Sequence, residues 1–326
     1  VVNFENKVIL VTGATGSFGT QFITQLKDSG AKKIVVYSRD ELKQFDMSVK
    51  FKEFPIEIEY IVGDIRDRDK MFSSMKGINY VAHAAALKQV PTGENFPSEV
   101  IQTNIIGTKN VVDAASYCEV ERLVSLSTDK AAYPISCYGA TKLISERIVM
   151  SQKSDTINVC LRYGNVLGSR GSVIPLWNNQ IENHLPITIT SPLMTRFFLS
   201  LSQAIRLVYR CFDACNGDLI VMKPPATSIK TLVSTFELKY GSLAQTVIGI
   251  RPGEKLHETL LTSDEVARGA EEQDGDITYV RVPKNSNQNY FDKGDRDVEP
   301  KDFTSLDAKQ LNAEQVLEKL REANLL

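Results

Sequence analysis

Cysteine is sparse in this chain, and neither sign of charge dominates. The five cysteines (Cys118, Cys137, Cys160, Cys211 and Cys215) are odd in number and lack metal-ligand spacing, which argues against a zinc site or a disulfide framework. Cys211 and Cys215 fall in one helical-looking stretch, so free core thiols in a reducing cytoplasm are expected, with no bound metal. A formal net charge of -2, with Lys and Arg scattered evenly, leaves no basic stripe for nucleic acid. No apolar run approaches the roughly 20 residues that a membrane span needs, and no signal peptide precedes the first strand. A start at Val rather than Met suggests a trimmed N-terminus. Internal repeats and low-complexity tracts are lacking as well.

What is present is a chain of 326 residues, 42% hydrophobic, long enough for one large domain and a smaller lobe. Lys7–Thr12 is a continuous apolar run and reads as a buried parallel strand. Further strands are expected at Lys33–Ser38, Glu57–Val62, Tyr80–Ala84, Arg122–Ser127 and Ile157–Tyr163, with helices between several of them, notably Ile106–Ala115 and Tyr138–Gln152. Such alternation implies an α/β fold with a doubly wound parallel sheet. After about Gly164 the rhythm breaks, and Pro175, Pro186, Pro192 and Pro224-Pro225 punctuate short apolar runs. Residues 1–165 are therefore assigned to a nucleotide-binding domain. Residues 166–326 are assigned mainly to a mixed α/β substrate lobe, with some segments returning to the first domain. Asn312–Ala323 reads as an amphipathic helix packed on that lobe.

Gly13, Gly16 and Gly19, with Thr15, Ser17 and Phe18 between them, directly follow the first strand. Glycines here let the backbone approach a pyrophosphate, and the next helix offers its free N–H groups. The spacing is stretched relative to G-x-G-x-x-G. At the end of the second strand, Ser38, Arg39 and Lys43 would suit a ribose 2′-phosphate and favour NADP. Asp40 keeps NAD open. Asp64 and Ile65 fit the adenine edge, and the small residues Ala84, Ala85 and Ala86 let the chain pass close to the cofactor.

Tyr138 and Lys142 lie one helical turn apart on one face, ten residues or more after the hydroxyl of Thr128. This is the set with which a nicotinamide enzyme oxidises an alcohol: Lys142 favours the phenolate of a Tyr whose ordinary pKa is about 10, and Thr128 holds the hydroxyl. Asp129 and Lys130 add an acid and a base that alcohol oxidation does not need. Oxidation, elimination and hydride return together are the logic of a sugar dehydratase. His83 and His257 read as core histidines, His257 in a helical stretch.

The motifs TGATGSFG (12–19), YSRDELKQ (37–44), GDIRD (63–67), HAAALKQVP (83–91), TNIIGT (103–108), STDKAAYP (127–134), YGATK (138–142), RYGNVLGSRGSVIP (162–175), MTRF (194–197) and RPGEKLHE (251–258) span most of the chain. They resemble the extended short-chain dehydrogenases with a Rossmann domain, and within them the inverting UDP-N-acetylglucosamine 4,6-dehydratases of pseudaminic acid biosynthesis. The resemblance implies that Tyr138 deprotonates the C4 hydroxyl while NADP takes the hydride. A neutral Lys130 then removes the C5 proton, and Asp129, kept protonated by burial, releases the C6 hydroxyl as water. Hydride return to C6 and protonation on the opposite face of C5 invert the sugar. Retaining relatives typically carry Asp-Glu where this chain has Asp129-Lys130.

The resemblance also implies a substrate site of Lys88, Asn165, Gly171, Ser172, Val173, Met194, Arg196, Arg251 and Glu254, with Arg196 and Arg251 as forked donors to the diphosphate. For each of these, a structural salt bridge or packing role is the alternative. A homo-oligomer is implied in the same way. A similar subgroup that makes N-acetyl-L-fucosamine precursors shares STDKAAYP, a similar Asn289-Tyr290 and C-terminal pattern, but has Met at the position of Tyr138. A UDP-sugar 4-epimerase is the competing enzyme, and a non-catalytic NADP sensor the competing binding protein.

Overall fold

The computed structural model describes residues 3–169, 171–284 and 300–326. Arg170 and the Asn289-Tyr290 pair lie outside the described residues. Six strands follow the expected alternation: β1 (Val8–Thr12), β2 (Lys33–Ser38), β3 (Glu57–Val62), β4 (Tyr80–His83), β5 (Arg122–Thr128) and β6 (Ile157–Tyr163). Three more strands from beyond Gly164 join the same sheet: β7 (Leu219–Met222), β8 (Ala270–Asp274) and β9 (Ile277–Val282). The sheet order is β8-β9-β7-β6-β5-β4-β1-β2-β3. It is parallel from β3 to β7, and the β8-β9 hairpin closes one edge antiparallel. This is the Rossmann-type short-chain dehydrogenase fold.

The pleat divides the apolar residues of each strand between two cores, because alternate side chains point to opposite faces. Ile9, Val11, Ile34 and Val36 pack with Phe22, Ile23 and Ile205 on one face. Leu10, Val35, Tyr37 and Leu123 pack with Val111, Val112 and Val149 on the other. The helices concerned are α1 (Ser17–Gln25), α2 (Glu41–Lys50), α3 (Arg68–Ser74), α4 (Thr108–Tyr117), α5 (Cys137–Ser151) and, after α6 (Val173–Glu182), α7 (Leu201–Cys211). A third core belongs to the smaller lobe, where the lone Trp177 of α6 meets Phe236 of α8 (Ile229–Tyr240). A short helix, α9 (Ser263–Arg268), precedes the hairpin. The final helix, α10 (Ala313–Glu322), buries Val316 and Leu320 in this third core.

All five cysteines are free thiols, and Cys215 lies beyond the end of α7. Among the described residues no helix is long and apolar enough to cross a membrane, and no group of His, Cys, Asp and Glu could hold a metal. His83 is fully within the core, its ring nitrogens 2.7 Å from the Thr12 hydroxyl and 3.0 Å from that of Thr108. His257 is not in a helix but in an isolated bridge to Thr195.

Burial, with a smaller push from Lys142, lowers the His83 pKa from 6.5 to about 3. The unfolded chain therefore binds a proton that the folded chain refuses between those values. The stability that a neutral His83 contributes is complete above pH 6.5 and is lost as pH falls toward 3. We expect this to steepen the stability loss by up to about 1.4 kcal/mol per pH unit below 6.5. Urea titrations of wild type and His83→Asn should show the difference in slope between pH 6.5 and 5.

Candidate active site

A cavity of about 560 Å³ opens between the loops that follow strands β1 to β6. It lies where the sheet order reverses between β1 and β4, the switch point at which doubly wound folds bind ligands. The nucleotide wall comes from the loop after β1. Gly13, Thr15, Gly16, Ser17 and Phe18 line it, while Gly19 lies behind, against Ala14. Gly13 has φ of +65°, and a Cβ there would meet the Ala84 and Ala85 backbone within 2.9 Å. Only glycine lets these two loops touch. Helix α1 starts at Gly16 with no side-chain cap and no acidic residue in its first turn. Its free N–H groups suit a pyrophosphate, so the residues present fit a dinucleotide.

Ser38, Arg39, Asp64, Ile65, Ala84, Ala85 and Ala86 extend this wall. The Ser38 and Thr15 hydroxyls share a hydrogen bond of 3.0 Å, and the half-exposed Arg39 stands 3.7 Å from Asp64. Asp40 and Lys43 depart from expectation, because neither lines the cavity. The Asp40 carboxylate is the N-cap of α2, accepting from the Lys43 amide at 3.0 Å, and it also pairs with the Lys43 ammonium. A helix start needs that acceptor, so the cap engages Asp40 and the ion pair holds Lys43 beside it.

Thr128, Asp129, Lys130, Tyr138 and Lys142 line the opposite wall. Ser136 caps α5 by accepting from the Gly139 amide at 3.1 Å, and Tyr138 and Lys142 then fall on the buried face of the helix. The Thr128 hydroxyl donates to Asp129 Oδ1 at 2.8 Å, and Lys130 Nζ donates to the same oxygen at 3.0 Å. Asn104, in the turn before α4, accepts from the Leu87 amide and donates to the Thr141 hydroxyl, and so ties the loop after β4 to α5. Gly139 is a close approach: a Cβ there would lie 2.3 Å from the Lys130 carbonyl oxygen.

Two expectations about charge meet a different geometry. The Lys142 ammonium donates not to the phenol but to the Leu126 carbonyl, at 2.6 Å. Burial pushes the Tyr138 pKa up to about 12, and the groups that oppose this are Lys130 and the Thr128 hydroxyl. Lys130 is not a neutral amine either. Burial disfavours its charge, but Asp129 and Glu258 outweigh that and hold it as an ammonium above the usual lysine range.

On the substrate side, Lys88, Asn165, Gly171 and Ser172 line the cavity, whereas Val173, Met194, Arg196, Arg251 and Glu254 do not. Val173 opens α6 and Met194 is buried. Arg196 donates to the Thr195 and Leu256 carbonyls at 2.8 and 3.2 Å. Arg251 and Glu254 face each other at 3.8 Å. The turn at Pro252-Gly253 between them sends later residues of the motif inward instead. Lys255 Nζ donates to the Ala132 carbonyl at 2.7 Å. Glu258 Oε1 stands 3.2 Å from Lys130 Nζ. Neither Glu258, Lys255, Asn104 nor the cavity-lining Tyr163 was singled out from sequence, although all four sit in the quoted motifs.

The polysaccharide biosynthesis protein family matches residues 9–280. The chain belongs to that family. A UDP-glucose 4-epimerase from Rickettsia rickettsii (strain Sheila Smith) is 40% identical over 97% of this chain and 96% of its own length. The X-ray structure of Pen from Bacillus thuringiensis superposes with a TM-score of 0.90 at 34% identity, covering 100% of both chains. A dTDP-glucose 4,6-dehydratase from Streptomyces venezuelae, solved with NAD, shares the fold: its TM-score is 0.69 at 20% identity, over 76% of this chain and 86% of that one. This family member thus carries the Rossmann-type short-chain dehydrogenase fold.

Because the Lys130 carbonyl rests on Gly139, Gly139→Ala must displace the catalytic loop or the start of α5. We expect a stability loss of about 1–3 kcal/mol, in the range of overpacking, read from the urea midpoint. Turnover should fall further than the loss of folded protein explains.

Proposed function

We propose that this enzyme catalyses the inverting 4,6-dehydration of UDP-N-acetylglucosamine with NADP in the cavity, for the synthesis of a surface glycan of the pseudaminic acid type. The observation that carries the reading is the Asp129–Lys130 pair, 3.0 Å apart, beside Thr128 and Tyr138 in one cavity. A bound nicotinamide would accept a hydride from C4 and give it back at C6. Around it, Thr128 holds the C4 hydroxyl and Tyr138 takes its proton. Lys142 is the residue to hold the nicotinamide ribose. Lys130 receives the C5 proton, and Asp129 delivers one to the departing C6 hydroxyl. The sugar nucleotide enters past Lys88, Asn165, Gly171 and Ser172, and the lobe after residue 165 supplies the other half of its site.

A second reading, a UDP-sugar 4-epimerase, is favoured by the name of the 40% identical relative. That chemistry uses Thr128, Tyr138 and Lys142 and leaves Asp129 and Lys130 idle. Incubation with UDP-N-acetylglucosamine in D2O, followed by proton NMR and mass spectrometry, separates the two. Loss of water with deuterium at C5 and L-arabino coupling constants is expected. An isobaric C4 epimer without solvent deuterium would retire the dehydratase reading. Lys130→Ala should lower dehydration by about 10²- to 10⁴-fold, the usual contribution of a positioned base.

The NADP assignment rests on Arg39 and Ser38 at the cavity edge, now without Lys43. Arg39→Ala should weaken NADP about tenfold, equivalent to about 1.4 kcal/mol, and leave NAD nearly unchanged in a fluorescence titration. Equal effects on the two cofactors would count against a 2′-phosphate contact.

A further inference from the structure

Lys130 sits between two carboxylates rather than beside one. Asp129 Oδ1 is 3.0 Å from its ammonium and Glu258 Oε1 is 3.2 Å away, and both carboxylates are almost wholly buried, at 1% and 2% exposure. Glu258 is held from behind: Arg196 Nε is 3.8 Å from the same oxygen, and the Glu258 amide donates to the Ser305 hydroxyl at 2.9 Å. Among the described residues, Asp129 Oδ2 and Glu258 Oε2 are buried without a hydrogen-bond partner. A buried carboxylate incompletely satisfied by the fold is costly, and here two of them converge on one catalytic nitrogen.

We infer that Glu258 is a positioning residue for Lys130, fixing where its nitrogen sits and resisting its conversion to the amine until Asp129 takes the proton. The inference deepens the dehydratase reading and rests on it. In the step implied, a proton crosses the 3.0 Å from Lys130 Nζ to Asp129 Oδ1, giving an amine and a carboxylic acid. The amine lone pair takes the C5 proton, and the C–H electrons pass into the enolate of the C4 ketone. The C6–O bond then breaks, and its oxygen leaves as water with the Asp129 proton. Lys130 ends as an ammonium and Asp129 as a carboxylate, as they began, with no outside donor. Glu258 carries no proton in this sequence and does not line the cavity.

The charged and titratable groups around Lys130 come from four elements. Asp129 shares its loop, Tyr138 lies on α5, Arg196 on the short strand Thr195–Phe197, and Glu258 with Lys255 on the 251–258 segment. Removing the Glu258 charge leaves Arg196, Lys255 and burial all opposing the ammonium, with only Asp129 in its favour. Loss of the shared proton to solvent then occurs at lower pH.

The test is the pH dependence of dehydration by wild type, Glu258→Gln and Glu258→Asp. For Glu258→Gln we expect the alkaline limb of kcat to move down by about one pH unit or more, with KM for UDP-N-acetylglucosamine within about twofold of wild type. Glu258→Asp, which keeps the charge on a shorter side chain, should shift the limb less, and it serves alone if the Gln variant does not fold. Unmoved limbs in the variants, or a raised KM with an unmoved limb, would overturn the inference while the dehydratase reading stands. A wild type that yields only a C4 epimer overturns both.

Discussion

Arg162 is the constraint around which the rest of the active site is arranged. Its side chain is 1% exposed and forks in two directions: to both oxygens of Glu146 on α5, at 3.0 and 2.7 Å, and to both oxygens of Glu265 on α9, at 2.7 and 2.9 Å. It also donates to the Leu260 carbonyl, and Glu146 accepts from Ser127, the residue before Thr128. One guanidinium thus registers β6, the catalytic helix, the end of β5 and the segment that follows Glu258. Removing three charges from water costs several kcal/mol per ion, so little net stability is to be expected from the triad. Its bidentate geometry, however, admits few arrangements. What it secures is placement: Tyr138 lies two helical turns before Glu146 on α5, Thr128 follows the Ser127 that bonds Glu146, and Glu258 lies two residues before Leu260.

That placement explains why the site is electrostatically lopsided. The nucleotide half is built from backbone: a glycine turn, an uncapped helix start and small residues in the loop after β4. The catalytic half is built from charge. Burial alone would make Tyr138 a poor base and Lys130 a neutral amine. Two carboxylates reverse the second tendency, and the resulting ammonium in turn moderates the first. The cation that bears on the phenol therefore comes from the catalytic loop, not from Lys142 one turn along α5, which is occupied with the Leu126 carbonyl.

Six parallel strands, the glycine loop and the Tyr138–Lys142 face were legible in the sequence because each rests on local pattern: apolar runs, turn residues and helical spacing. Elements whose identity depends on partners were not. β7 is only four residues long, and the β8-β9 hairpin reads AEEQDGDITYVRV, too charged to announce a sheet edge. Asp40 and Lys43 have the right types for a ribose contact, but the start of α2 claims both. Arg251 and Glu254 have the right types for a nucleotide sugar, but a turn carries them to each other. Side-chain type survives in a sequence reading; side-chain direction, set by caps and turns, does not.

Direction also decides which half of the molecule governs the chemistry. Thr128, Tyr138 and Lys142 all arise from the first half of the chain, and on the proposed reading they serve any alcohol oxidation, epimerisation included. Of the charged groups around Lys130, Arg196, Lys255 and Glu258 come from the second half of the chain. Their alignment depends on Lys255 reaching the Ala132 carbonyl and on Arg162 holding Leu260 two residues beyond Glu258. A Rossmann half identical in every catalytic residue, but joined to a lobe that placed this segment an ångström or two away, would keep the oxidation machinery and lose the clamp on Lys130. On the proposed reading, the difference between epimerising a sugar and dehydrating it is then a matter of how the 251–258 segment docks on the loop after β5, as much as of which residues that loop contains.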